Sequence, residues 1–295
     1  MSGCARRSDR RLRRAAAALG LWLGLSVAAA GPGGADEAPP ARVVSINLCT
    51  DQLAMMLAAP GQLHSVTNLA TDPRVSAMAE EAAAFPSNRG AAEDIYLMRP
   101  DLVLAGRYTA QPTVAMLRRL GIPVVVFDPA LSLDDVRTRM VEMGAALGQE
   151  EAAARAVAIF DARRAALRES VSRRPSAALY YANGYTAGDR SLAGEILAAA
   201  GFENVAEAAG LSAGGRMPLE VLALAAPEAV VTARPYPGAS RAEDILDHPG
   251  VRALREGRAA GAFADRDWIC GTPHVLAAIE SLAELRRTLP PGGAE

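Results

Sequence analysis

The 295-residue sequence contains no lysine, so all 31 basic residues are arginine. That reads as a compositional bias and carries no functional content. Aromatic residues make up only 4%. Only three histidines occur, His64, His248 and His274, scattered with no metal-ligand spacing, which speaks against a site for a bare metal ion. There is no Gly-x-Ser-x-Gly elbow, no phosphate-binding glycine loop and no acid–base pair near a histidine, which leaves a secreted α/β enzyme as the weaker reading. No basic stripe is present, so nucleic acid is not an expected partner. After the first thirty residues nothing resembles a membrane span.

The N-terminus has the organisation of an export signal. Arg6, Arg7, Arg10, Arg11, Arg13 and Arg14 form a cationic stretch, followed by an apolar run from about Ala15 to Ala30. Small residues then offer cleavage after Ala30 or near Ala35. Residues 1–35 are expected to be a signal peptide, with an uncleaved anchor as the alternative; the run is short for a span, which needs about 20 apolar residues. Cys4 precedes the apolar run and does not sit where a lipoprotein acceptor would. Without residues 1–35 the chain carries 25 Arg against 32 acids, a net charge of −7, and two cysteines, Cys49 and Cys270.

Three zones follow. Residues 42–129 alternate β-branched runs with helical periodicity: strands are expected at 43–46, 101–104 and 124–127, helices at 50–58, 73–84 and 111–119. Residues 133–172 contain no Pro, and Gly148 divides them into two helices, the second running from Glu150 to about Ser172 as a strut of about 33 Å. Residues 176–289 restart the α/β pattern, with strands at 177–181 and 229–232 and helices at 191–199, 219–224 and 273–289. The segment "LALAAPEAVVT" repeats the logic of "IYLMRPDLVLA": a helix with one Glu near its start, Glu220 or Glu93, leads through Pro into a strand. The expected fold is α/β, two Rossmann-like lobes joined by a single long helix with the ligand cleft between the lobes.

Four segments carry a family resemblance: Glu93 to Val103, "LRRLGIPVVVFD" (117–128), Tyr185-Thr186-Ala187-Gly188 with "LAGEILAAAGFENVA" (192–206), and Asp267-Trp268 before the last helix. Together, over about 42–289, they resemble the periplasmic binding proteins that serve ferric-siderophore, haem and vitamin B12 importers. The resemblance implies a periplasmic protein, acting as a monomer and without cofactor. It would capture a ferric siderophore or related chelate and deliver it to a permease and ATPase complex in the inner membrane. A corrinoid or haem is the alternative cargo. The resemblance also implies that Glu93 and Glu220 dock onto arginines of the permease, while a helix-dipole role remains open for each.

In α/β lobes ligands sit beyond the carboxyl ends of the strands. That rule selects Asn47, Cys49 and Thr50 after the first strand, Arg107 and Tyr108 after the second, Asn183 and Tyr185 in the C-terminal zone, and Trp268 and Cys270 before the final helix, with Tyr236 as a further contributor. Tyr185 and Trp268 suit flat ligands, with core packing as the alternative, and Arg89 and Arg107 suit anionic ones. Vitamin B12 binders of the family line this side of the cleft with aromatics, whereas here Thr67–Asp72 and Gly106 have none, and Tyr108 is a possible haem ligand. For Cys49 and Cys270 three readings stand open: a bond that locks the lobes, which would hinder ligand entry and ranks last, free thiols on the ligand, or buried small hydrophobes.

Overall fold

The computed structural model describes residues 38–234, 238, 240–256, 259–263 and 265–290. The expected signal segment, residues 1–35, and Tyr236 lie outside them.

The N-terminal lobe runs β1 (Val43–Ser45), α1 (Leu48–Leu57), β2 (Leu63–Thr67), α2 (Ala79–Ala82), β3 (Ser87–Asn88), α3 (Ala92–Leu97), β4 (Leu102–Gly106), α4 (Gln111–Arg119) and β5 (Val124–Phe127). Its strands form one sheet in the order β3-β2-β1-β4-β5, every pair parallel. In the register Val43 lies beside Leu102 and Val44 beside Val103. Alternate strand residues point to opposite faces. Val44, Val103 and Ala105 therefore pack outward under α3 and α4 with Ile95, Val114 and Leu117, while Val43, Leu102 and Leu104 pack inward under α1.

Two helices follow, α5 (Leu133–Leu147) and α6 (Glu150–Ala166), turned about Gly148 in the left-handed conformation. Ser132 and Asp135 form a capping box that starts α5. The start of α5 is held to the C-terminal lobe, where the Leu133 N–H donates to Glu195 at 2.6 Å. Its end is held to the N-terminal lobe, where Gln62 Nε2 donates to the Leu147 carbonyl at 2.7 Å. The crossing from the first lobe to the second is thus made by α6. Its 17 residues, about 26 Å at 1.5 Å per residue, end earlier than residue 172. Beyond Ala166 the chain leaves the helix, and Glu169 pairs with Arg286 and Arg287 of the last helix.

The C-terminal lobe runs β6 (Ser176–Tyr180), β7 (Tyr185–Thr186), α7 (Leu192–Ala199), β8 (Glu203–Asn204), α8 (Val205–Ala208), β9 (Gly215–Arg216), α9 (Leu219–Ala225), β10 (Ala229–Ala233), α10 (Pro249–Glu256), β11 (Ala259–Phe263) and α11 (Val275–Thr288). Its main sheet has the order β11-β10-β6-β8, again parallel, and β7 pairs antiparallel with β9. The central strand, its two neighbours and one edge correspond to β1, β2, β4 and β5 of the first lobe. The weak internal repeat of the sequence is therefore a repeat of topology.

One hydrophobic cluster spans both lobes. Val43, Leu104 and Phe127 from the first sheet join Leu179 and Val231 from the second through Met140, Met143 and Phe160 of α5 and α6. Each sheet has a separate outer cluster, with Tyr180, Leu222 and Val230 in the second. The helix expected at 73–84 is reduced to the four residues of α2, because Pro73 and the turn at 73–75 break it.

Candidate functional site

The residues after β1, β4 and β5 come together at the carboxyl edge of the first sheet. Asn47 is the N-cap of α1: its Oδ1 accepts from the Cys49 N–H at 3.0 Å and the Thr50 N–H at 3.4 Å. Since Asn47 occupies those donors, α1 contributes partial positive charge here rather than free N–H groups. The Thr50 hydroxyl lies 2.7 Å from that of Ser45 and donates to the Asn47 carbonyl at 2.9 Å, fixing the turn against β1. Gly106 ends β4 in contact with Asn47, where a β-carbon would stand 2.9 Å from Asn47 Cγ. Glycine at this position, in place of a bulky ring, is thus needed for the approach of two loops.

A cavity of about 200 Å³ opens over this edge. Asn47, Cys49, Thr50, Gly106, Arg107 and Tyr108 line it, with Phe127, Asp128 and Pro129 after β5 and Arg139 from α5. Ile269 and Gly271 close it from the other lobe. Tyr108 is 85% exposed at its mouth. Arg107 pairs with Asp128; the hydrogen bond and charge of the carboxylate raise the Arg107 pKa, and Arg107 holds that of Asp128 down. Arg139 pairs with Glu142 at 2.7 Å. Behind the wall, burial raises the pKa of Asp51 to about 6, against the Ser45 and Thr67 hydroxyls that favour its charged form.

The floor joins the lobes. Cys49 and Cys270 are disulfide-bonded, with Cα atoms 5.1 Å apart. The pairing ranked last is the one found, because the two loops meet beneath the cavity and leave its mouth open. Cys270 is buried, so of the two only Cys49 lines the cavity. Next to the bond the Thr272 hydroxyl donates to Gln52 Oε1 at 3.3 Å, and Gly271 lies so close to Ala130 that a β-carbon would reach 2.2 Å from its Cβ.

The other expected residues of the C-terminal lobe lie elsewhere. Trp268 is 9% exposed and packs edge-on against Tyr181, ring centres 5.5 Å apart. Burial raises the pKa of the Tyr181 phenol, and the charge of Asp265 adds to it. Asn183 adopts φ 58° and lines a second cavity of about 470 Å³ with Tyr180, Arg216 and Arg241. Tyr185, 47% exposed, lines neither cavity; its carbonyl accepts the Tyr181 N–H at 2.8 Å. Arg89 is exposed and lines neither. Asp128 and Pro129 follow a strand end and were within reach of the strand-end rule, whereas Arg139, Ile269 and Gly271 reach the cavity only through the packing of the two lobes.

The sequence profile of the periplasmic binding proteins matches residues 43–261. The chain belongs to this family. A periplasmic binding protein of this kind is also seen in the solved structures similar to it. The apo haem-binding protein RhuT from Roseiflexus sp. RS-1 is 24% identical with a TM-score of 0.69, over 83% of this chain and 97% of that one. The vitamin B12-binding protein BtuF of Vibrio cholerae is 17% identical with a TM-score of 0.63, over 85% and 98%. Among curated proteins, the cobalamin-binding protein of Halobacterium salinarum is 31% identical over 202 residues, which is 66% of this chain and 54% of that protein. The chain thus spans about half the length of the curated relatives it matches. Among the described residues no helix is long and apolar enough to cross a membrane.

Proposed function

We propose that this periplasmic binding protein captures an anionic metal chelate, a ferric siderophore or a related compound, and delivers it to the permease of a membrane importer. The observation that carries the reading is the charge of the cavity wall. Two arginines line it, Arg107 paired with Asp128 and Arg139 paired with Glu142 outside the cavity, with the partial positive charge of α1 beside them. Arginine forks suit carboxylate and catecholate oxygens, and an incoming anion would compete with Asp128 for Arg107. At about 200 Å³ the cavity is below the usual size for enclosing a whole small-molecule ligand, so it suits one arm of a chelate whose remainder stays in the open cleft. Arg107 and Tyr108 at the mouth, with Asn47, Cys49 and Thr50 beneath, are the proposed ligand contacts. Glu93 and Glu220, exposed on corresponding helices of the two lobes, are the proposed contacts for permease arginines.

A second reading, a corrinoid cargo, is favoured by the Halobacterium salinarum relative. The scarcity of aromatic side chains in the cavity, where Phe127 and Tyr108 are the two that line it among the described residues, weighs against it. The test is a thermal-shift screen of the purified chain with ferric siderophores, haem and cobalamin. A rise with an anionic ferric siderophore and none with cobalamin supports the first reading; a rise with cobalamin alone supports the second. No shift with any of them contradicts both.

A further inference from the structure

The short helices α3 and α9 carry the same local pattern in the two lobes. Glu93 and Glu220 open it, both exposed and, among the described residues, without an ion-pair partner. Two residues on, Ile95 and Leu222 are fully buried and anchor each helix to its sheet. Six residues after each Glu, Arg99 (φ 51°) and Ala226 (φ 44°) take the left-handed conformation that non-glycine residues rarely adopt. A proline follows each, and the chain turns into the corresponding strand. The pattern fixes which side chains share the exposed face with the carboxylate. Residues four apart on a helix are neighbours, and at that position stand Leu97, 76% exposed, and Leu224, 85% exposed. Burial on folding accounts for neither leucine. In the N-terminal lobe Leu97 also borders a shallow groove of about 280 Å³ with Tyr96, Met116 and Leu120.

We infer that each lobe meets the permease through a two-part foot, a carboxylate with a leucine one helical turn away. Leu97 and Leu224 enter apolar sockets beside the arginines that take Glu93 and Glu220. This rests on the docking role proposed above for the two glutamates and names the apolar half of the same surface. The occupant is argued from the duplication. A free apolar patch needs no matching partner in the other lobe, whereas two equivalent carboxylate–leucine pairs match one partner surface that offers arginine and apolar contact together at two places. The feet are unequal: the groove beside Leu97 gives the N-terminal foot more apolar area to cover.

The test measures affinity of the full-length mature chain for the native permease–ATPase complex of its own cell, reconstituted in lipid nanodiscs, at low and high salt. Leu97→Ser should weaken binding about tenfold or more and Leu224→Ser about threefold, from the area of leucine that a partner covers. Leu97→Met with Leu224→Met should keep wild-type affinity. Thermal stability should not move, because both side chains project from the surface. The salt dependence of the leucine variants should match wild type, whereas Glu93→Gln with Glu220→Gln should lose affinity and flatten it. If the glutamate pair loses affinity while the double serine variant stays within twofold of wild type, the leucine inference is overturned and the docking reading stands. If neither pair changes affinity, the docking reading itself fails. Loss of a dimer of this chain in sedimentation, with permease affinity unchanged, would assign the leucines to self-association and overturn the inference.

Discussion

In the N-terminal lobe the segments after β1, β4 and β5 leave Thr50, Arg107, Tyr108 and Asp128 on the cavity wall. In the C-terminal lobe the segment after β6 folds back on itself. Tyr181 and Trp268 are consumed in packing, and Asn183 opens on a different cavity. Each lobe has its own parallel sheet with the same order over four strands, so the difference comes from the connections and not from the scaffold. The first lobe supplies the polar contacts. The second supplies Ile269 and Gly271 beside the floor, held by the Cys49–Cys270 bond and the Thr272–Gln52 hydrogen bond. Function in this fold is written in strand-end loops, and two lobes of one topology need not share it.

The largest effect should come from cutting the covalent tie between these unequal lobes. The bond joins residues 221 positions apart, and closing a loop of that length constrains the unfolded chain by about 5 kcal/mol. Cys49→Ala with Cys270→Ala should lower stability by about that amount in urea. Because one hydrophobic cluster runs through both lobes, unfolding should remain a single transition; two separate transitions would show that the disulfide, rather than the shared core, makes them one unit.

Next in size is the glycine that lets two loops of the first lobe meet. Gly106→Val places side-chain atoms where Asn47 caps α1. It should cost about 2–3 kcal/mol through overpacking and a disturbed cap and weaken ligand binding, read by denaturation and titration. The second-lobe residue Gly210, with open space around it, offers a control in Gly210→Asn, since Asn tolerates the left-handed backbone there.

Asp51 gives a smaller effect with a defined pH window. Its folded pKa of about 6 lies above the 3.8 of an unperturbed carboxyl, so the folded state binds the proton more tightly than the unfolded one. Stability from this group therefore falls as pH rises from about 4 to 6, and the cost of the buried charge is complete above that. Asp51→Asn keeps an acceptor for Thr67 and removes the charge. It should stabilise the chain at pH 8, by up to about 3 kcal/mol less the cost of seating the amide, and by nothing measurable at pH 3.5. A pH-independent difference in melting temperature would contradict this account.

The smallest effect belongs to the second lobe's exposed face. Asn183→Ala and Tyr185→Ala should each change chelate affinity by less than about threefold, within the range of peripheral contacts. A tenfold loss from either would move the binding face across the cleft.

Much of this architecture is legible in the sequence, because βα units write themselves in period and punctuation. The runs 124–127 and 111–119 form the expected strand and helix, and the proline breaks of the two repeated segments mark the entry to β4 and β10. The strand Leu63–Thr67 is not legible: it mixes His64, Ser65 and Thr67 with two aliphatics, and only its place beside β1 makes it a strand. The strand-end rule finds the half of the cavity built by local connections. It cannot find Arg139, which arrives from α5, or Ile269, which arrives from a loop more than 200 residues away. Trp268 shows the limit of reading aromatics as contacts, since its partner Tyr181 is invisible as a partner until the second sheet is assembled.

The proposed anion contacts of the cavity wall are Arg107, after β4, and Arg139, on α5. The direct measurement is calorimetric titration of a carboxylate- or catecholate-bearing ferric siderophore into the wild-type chain and into Arg107→Ala with Arg139→Ala. Wild-type binding should weaken with salt, and the double variant should bind at least tenfold more weakly with a flatter salt dependence. Equal affinity and equal salt dependence in the two proteins would contradict this assignment.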